Sequence, residues 1–562
     1  MKSGYRNLLH VLWAAIPAMW LTACGGGGAA NPNHAPVVAS PNGDQLRLIG
    51  FPYEYDVTKS GLAFRDPDGD TLAYTVAVQS AGSWCDLGSS GFVLTGASSF
   101  SGECEVMVTA SDGRGGVVKD EFIVRTRKNQ APTVAAPNPN REVMPNTGID
   151  YDATQGGQTF TDAEGHALTY EVSIVSAPAG FSVQGTRIIG MLSGPGFVKA
   201  KIVARDAFNG VTEDSFALVV PSIITARPTL PATPFVYEDL KLPLPSEFQV
   251  SSGGTHGFSD TTPPDNEITD AGAALGRVLF YDKRLSITNT HSCGSCHEQT
   301  RSFASSQRFP PGAVGVPTRR SPMALVDVRF NIRNRHFSDE RVGTLEDLAL
   351  MPIQDRDELG TSSLESLVHE LEATDYYPPL FSAAFGSAAI SSERIAKALA
   401  QFLRSMISYE SPFDRAELSI LPDPPLGLQA LTAEQQRGFA VFVAEQNCVS
   451  CHNRPTFMLL SPSNNGLDAV FTDPGAGEGK FRTPSLKNIA VSGPYMHDGR
   501  LATLREVIEH YNSGVQNSAS VAPGLVQQRN MLEVDKVALE AFLNALTDDA
   551  FLTNPKFSDP FQ

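Results

Sequence analysis

Tryptophan is nearly missing from this chain of 562 residues: Trp13, Trp20 and Trp84 are the only three, so everything beyond residue 84 is without an indole. Positive charge is also in deficit. The 43 basic residues against 61 acidic leave a net charge of −18, which argues against nucleic acid or anionic lipid headgroups as partners, since both repel an acidic surface. Long apolar runs are absent beyond the N-terminus, and even there LLHVLWAAIPAMWL is too short to span a bilayer. Cysteine is sparse, with seven in all.

That first apolar run follows Lys2 and Arg6 and ends in LTAC and then GGGG, the layout of a targeting segment. A small residue before Cys24 resembles a bacterial lipoprotein signal. It predicts a signal peptide over 1–24, a lipid on Cys24 and a Gly-rich tether over 25–34. The plainer alternative is a secretory signal with an incidental cysteine. Either exports the chain, and the expected location is the periplasm or cell surface of a bacterium, with a lipid anchor as the sole membrane attachment. The other cysteines then sort themselves: Cys85 and Cys104 are an expected disulfide, as an oxidising compartment allows. The remaining four form two C-x-x-C-H units, Cys293/Cys296/His297 and Cys448/Cys451/His452.

A length of 562 residues allows about three to four domains, and an internal repeat fixes two of them. NHAPVV (from Asn33) recurs as NQAPTV (from Asn129), FRDPDGDTLAYTV (from Phe64) as FTDAEGHALTYEV (from Phe160), and ASDGRGGVVKDEF (from Ala110) as ARDAFNGVTEDSF (from Ala204). Short alternating segments between Gly/Asp/Asn turns predict strands. Two β-sandwich modules over 35–128 and 129–222 follow, and they resemble cadherin-like and immunoglobulin-like repeats. Asp66, Asp68 and Asp70 are candidate Ca²⁺ ligands through oxygen, or simply a solvated turn. In the second copy the pattern weakens to Asp162, Glu164 and His166.

A Pro-rich linker is expected over 223–265, and helices with long loops after it. Ile395, Leu399, Phe402 and Met406 make one helical stripe, and Thr432 with Gln435 makes a capping box. A further helix is expected over about 533–548. In PYMHDGRLATLREVIEHY (Pro494 to Tyr511), Thr503 and Glu506 make another capping box. Leu504, Val507, Ile508 and Tyr511 then fall on one inward face, with His510 directed roughly 100° away. The fold class is therefore multidomain: two N-terminal all-β sandwich modules, then a mainly α region of two domains, 266–425 and 426–562.

C-x-x-C-H is the attachment signature of c-type haem: two thiols bond the porphyrin edge and the adjacent histidine reaches the iron. Zinc would want further cysteine or histidine ligands clustered nearby. One motif lies in each half of the helical region, unlike the dense packing of a multihaem wire, so two covalently bound haem c groups with a small domain each are expected.

The segments LGRVLFYDKRLSITNTHSCGSCHEQTRSFA, ERIAKALAQFLRSMISYESPFDR and FRTPSLKNIAVSGPYMHDGR, with the last helix, resemble the bacterial dihaem cytochrome c peroxidase/MauG family over about 265–550. The resemblance implies a peroxide site at the first haem and a second redox centre at the other. It puts His297 and His452 on the two irons, and Pro352 and Glu358 in the peroxide pocket. There a carboxylate can move a proton between the peroxide oxygens; a solvated surface glutamate is the alternative. The pocket glutamine of the family falls on Leu348, a departure. No histidine follows His297 until His336, so the first iron is expected to keep an open position, with His336 in a loop or supporting role and its approach to the iron as the alternative.

At the second haem, Tyr511 takes the place of the family's methionine ligand, as in its MauG branch; Met496 or Met531 would be the ligand if Tyr511 is only a buried core residue. The inter-haem tryptophan position carries Ser338. An inter-domain Ca²⁺ would use backbone at Ser492 and Pro494, while Arg320 replaces a family asparagine near that site. The function implied is peroxide reduction, with hydrogen peroxide and a periplasmic electron donor (a small cytochrome c or cupredoxin) as partners. The alternatives are oxidation of a side chain on a partner protein substrate, or, in another class, electron carriage without catalysis.

Overall fold

The computed structural model describes residues 32–80, 85–238, 260–416, 426–459 and 461–562. The expected signal peptide with Cys24, most of the tether and much of the Pro-rich linker lie outside these residues. Two compact units are present, residues 1–130 and 131–562. Among the described residues no helix is long and apolar enough to cross a membrane.

The first unit is a β sandwich. One sheet orders Gln45–Leu48, Val117–Arg127, Gly102–Ser111 and Ala73–Ser80; the other orders Tyr53–Asp56, Val93–Gly96 and Gly88–Ser90. Alternation drives it: in Gly102–Ser111 the buried positions are Cys104, Val106, Val108 and Ala110, every second residue. They meet Phe64, Leu94, Phe122 and Val124 in the core. Cys85 and Cys104 form a disulfide with an S–S length of 2.05 Å.

The second unit opens with a module of the same strand order, Arg141–Glu142, Val211–Val220, Gly196–Arg205 and Thr169–Ser176 facing Gly148–Asp152, Arg187–Met191 and Ser182–Gln184. The segment expected to be a linker then runs, through residue 238, along the helical region rather than as a free connector. Thr229 N–H donates to the Pro560 carbonyl at 2.6 Å, and the fully buried Tyr237 donates its hydroxyl to the Lys556 carbonyl at 2.5 Å. The Tyr237 N–H donates to Asp270 Oδ1 at 2.6 Å, so backbone and hydroxyl both tie this stretch down.

The helical region repeats one device in its two halves. In the first, Asp270–Tyr281 crosses Ser392–Arg404, whose buried Ile395, Leu399 and Phe402 form the expected stripe, continued by Met406. At the crossing Gly276 has no room for a side chain: a Cβ there would lie 2.0 Å from the Ala398 carbonyl oxygen and 2.8 Å from the Phe402 Cβ. In the second half, Ala433–Ala440, opened by the Thr432/Gln435 capping box, crosses Glu533–Asn544. A Cβ on Gly438 would lie 1.9 Å from the Ala538 carbonyl oxygen and 2.7 Å from the Phe542 Cβ. A glycine set against Ala-x-x-x-Phe thus brings two backbones together in each half.

In an ordinary helix Gly→Ala stabilises by about 1 kcal/mol. At Gly438 the sign reverses: Gly438→Ala is expected to lower unfolding stability by about 1–3 kcal/mol through overpacking. Denaturant unfolding of the haem-loaded protein measures it, and a stabilised variant would contradict the crossing.

Candidate haem-binding sites

Ser292 caps a single turn, Cys293–Cys296, through reciprocal bonds with Ser295. This turn presents both thiols and His297 to a cavity of about 730 Å³. Another cavity of the second unit, about 270 Å³, is lined by Cys448, Cys451 and His452. None of these four cysteines is in a disulfide.

Each histidine is oriented by a backbone carbonyl. His297 Nδ1 lies 2.6 Å from the Phe303 oxygen, and His452 Nδ1 lies 3.1 Å from the Phe457 oxygen. A carbonyl only accepts, so Nδ1 carries the proton and Nε2 keeps its lone pair, the form a metal requires. Burial favours that neutral form, lowering the pKa of both and bringing His452 to about 4. Two mostly apolar hollows, each with a thiol pair at its edge and a neutral imidazole beside it, fit a thioether-linked haem. They fit zinc poorly: among the described residues neither C-x-x-C-H gathers with a further ligand, and the groups able to hold a metal ion are carboxylate turns in the β modules. In one, Asp66 Oδ1 already accepts from the amides of Asp68 and Asp70, as a turn requires. In the second module Asp162 and His166 gather with Asp206, which the fold brings in from a distant strand end in place of the expected Glu164.

The first cavity also receives Pro352, from the helix Leu345–Gln354, and Glu358 from the turn after it, with Leu348 beside them. Burial first, and then the charge of Asp355, push the Glu358 carboxyl up to about 7 against the opposing Arg341 and Arg319. His336 lines this cavity too. It is fully buried, with Nε2 3.1 Å from Asn334 Oδ1, and burial beside the Arg482 guanidinium lowers its pKa to about 3.

Around the second cavity the stripe Leu504, Val507, Ile508 and Tyr511 is present as a lining, together with Met496 and Met531. The helix opens with the Thr503/Glu506 box but runs only through Glu509, and a π turn, His510–Gly514, follows. His510, directed away from that stripe, is not part of the lining; it is buried, with Nε2 3.0 Å from the Asn465 carbonyl. Asn465 itself had no sequence signal, yet it reaches Met496 Sδ at 3.2 Å and bonds the Tyr511 hydroxyl.

The two cavities share a wall of Ser321 to Ala324, Ser338 and Arg482. Arg482 donates its N–H to the Ser338 carbonyl at 2.8 Å. It was legible only as part of FRTPSLKN, without a role. Arg320 closes the wall by pairing with Asp339 at 2.5 Å and Asp473 at 2.7 Å. Ser492 and Pro494 line the second cavity, and Gly493 between them gives its carbonyl to Arg301 at 3.1 Å.

Two cavities so equipped define the class, a dihaem cytochrome. The family model described as Di-haem cytochrome c peroxidase matches residues 270–419. The methylamine utilization protein MauG of Methylophilus methylotrophus is 34% identical over 299 residues, 51% of this chain and 86% of that protein. Cytochrome c551 peroxidase of Nitrosomonas europaea is 28% identical over 321 residues, 53% of this chain and 87% of that one. A solved MauG-like protein associated with microbial copper homeostasis shares 31% identity, covering 53% of this chain and 96% of its own, with a TM-score of 0.48. The chain belongs to the dihaem cytochrome c peroxidase and MauG family, and is an oxidoreductase with haem cofactors.

Replacing Cys448 and Cys451 together by Ser is expected to leave one covalently held haem instead of two. Pyridine haemochrome quantification after acid–organic extraction reads it; two retained haems would contradict attachment at these thiols.

Proposed function

We propose that the chain reduces hydrogen peroxide at the first cavity and passes oxidising equivalents to the second. The observation that carries this is Glu358, a buried carboxyl in the cavity of Cys293, Cys296 and His297 whose pKa stands near 7. When bound, a haem supplies the metal that takes the peroxide and the electrons that cleave its O–O bond. His297, held by the Phe303 carbonyl, presents Nε2 from one side. Glu358 carries the proton: its carboxylate accepts one from the inner peroxide oxygen and returns it to the outer oxygen, which leaves as water. Two electrons from a periplasmic donor, a small cytochrome c or cupredoxin, with two protons complete the conversion to water. Export fits this donor, with the chain held to a bacterial membrane by a lipid on Cys24.

Tyr511 favours a second reading, oxidation of a side chain on a partner protein. A phenolate oxygen on the second iron would favour its higher oxidation states, where a methionine thioether would favour the reduced one.

Glu358→Gln is expected to slow peroxide turnover by about 10²–10⁴-fold. The carboxylate must be ionised to accept the proton, so turnover in the native protein should fall as pH drops below about 7, and this acid limb should vanish in the variant. Stopped-flow rates across pH read both, and an unchanged rate would remove Glu358 from the mechanism. Tyr511→Met is expected to raise the potential of the second haem in a redox titration; no change would mean that the tyrosine is not a ligand.

A further inference from the structure

The two β modules are copies, and position by position they differ where one of them meets the helical region. In the first module Glu103 sits opposite Arg125 across the sheet and pairs with it at 2.8 Å, an exposed ion pair. The equivalent pair in the second module is Phe197 opposite Val219. Strand Val117–Arg127 exposes alternate residues at its end, whereas Val211–Val220 is buried on both faces from Phe216 onward. Ala217 and Val219, both fully buried, pack on Ile287, Ala313 and Val314 of the first haem domain. An apolar face has replaced a charged one, and it is covered.

One polar position changed with it, and another kept its residue but gained a partner. In the first module Asp120 Oδ2 accepts from the N–H and Nδ2 of Asn42, an arrangement internal to the sandwich. Asp214 repeats those bonds with Asn138, and its other oxygen, Oδ1, pairs with Arg356. Asp44 accepts from Ile123 N–H and pairs with Arg125. Its counterpart Asn140 accepts from Ala217 N–H and turns Nδ2 to the Arg356 carbonyl at 2.9 Å. Exchanging Asp for Asn supplies the donor this bond needs. The Asp214 side chain is fully buried, so the guanidinium offsets a charge that would otherwise be costly.

Both contacts converge on one segment. Arg356 is held by side chain and carbonyl, and Glu358 is two residues on. The residues covered by the module grip the same backbone: Ala313 N–H donates to the Glu358 carbonyl at 2.7 Å, and Ile287 N–H to the Leu359 carbonyl at 3.0 Å. Gly312 packs so closely that a Cβ would lie 2.0 Å from the Asp357 oxygen. At Gly360, φ is +75° and a Cβ would come within 2.7 Å of Asn140 Nδ2.

We propose that the second β module is a positioning element of the first haem site: Asp214, Asn140 and the Ala217/Val219 face hold residues 355–360 so that Glu358 projects into the cavity. This rests on the reading of Glu358 as the proton carrier. It makes the module part of the enzyme, with Arg356, Asp214 and Asn140 as positioning residues, while the first module keeps an exposed ion pair at the equivalent place.

The test uses the full-length, haem-loaded protein with Arg356→Ala, Arg356→Lys and Asp214→Asn, beside Asp120→Asn as the equivalent change in the first module. Hydrogen exchange of the amides in 312–316 and 355–361 is the readout independent of activity. Arg356→Ala and Asp214→Asn are expected to speed it at least about tenfold there, with Asp120→Asn leaving those amides unchanged. Displacement of the carboxyl should cost about 10- to 100-fold in peroxide turnover. The acid limb should move to lower pH as the loosened carboxyl gains water, with partial recovery in Arg356→Lys. Native exchange and an unmoved acid limb in Arg356→Ala, alongside a disabled Glu358→Gln, would overturn the positioning role and leave Glu358 in place. Full activity of Glu358→Gln would instead overturn the assignment of Glu358, and exchange in Arg356→Ala would still decide whether the module holds the segment.

Discussion

Everything at the two haem sites depends on walls that match a large flat group inside a packed protein. Interiors pack near crystal density, so the walls of a cavity of about 730 Å³ must be fixed in shape to hold that group in one place. Here the walls hang from two helix crossings, at Gly276 and Gly438, where one backbone rests on another without a side chain between. Phe280 and Phe402 meet edge to face at the first, and Phe413, Phe439 and Phe542 interlock at the second. Short, rigid contacts there leave each C-x-x-C-H turn facing a space shaped for a flat macrocycle.

The partition wall has its own logic. Where a member of this family would be expected to carry an indole, Ser338 stands between the cavities, and arginines surround it. Arg320 lies over the ring of Phe481 and Arg341 over that of Phe337, at 5.6 and 3.6 Å from the ring centres. Arg320 is anchored at both ends by Asp339 and Asp473, which raise its already high pKa. A guanidinium fixed in place by two carboxylates makes this wall polar and rigid. The wall common to the two cavities is Ser321–Ala324, Ser338 and Arg482, with no indole in it.

Much of this was legible in the chain, for identifiable reasons. The repeat, the C-x-x-C-H turns and the inward stripe ending at Tyr511 are local patterns, and local patterns survive into structure. Long-range partners did not show. The π turn His510–Gly514 has no signature in EHYNSG, and the Asn465 carbonyl that meets His510 comes from 45 residues away in the chain. Asp206 joined Asp162 and His166 only once the strands were paired. Docking of the second module lay in plain view as Phe197/Val219 against Glu103/Arg125, yet it reads as variation between repeats until the surface that covers it is known. The segment 223–238 looked like a linker because it is rich in proline, which excludes helix but not burial, and Tyr237 is packed away.

The central claim is that one of two haems is open to peroxide beneath a proton-carrying carboxyl while the other is saturated by protein ligands. Electron paramagnetic resonance of the purified ferric protein, before and after one equivalent of hydrogen peroxide, tests it most directly. The account predicts one high-spin and one low-spin haem at rest, with the high-spin signal lost within the mixing time and returning as a reductant is supplied. Two low-spin haems, both unmoved by peroxide, would contradict it.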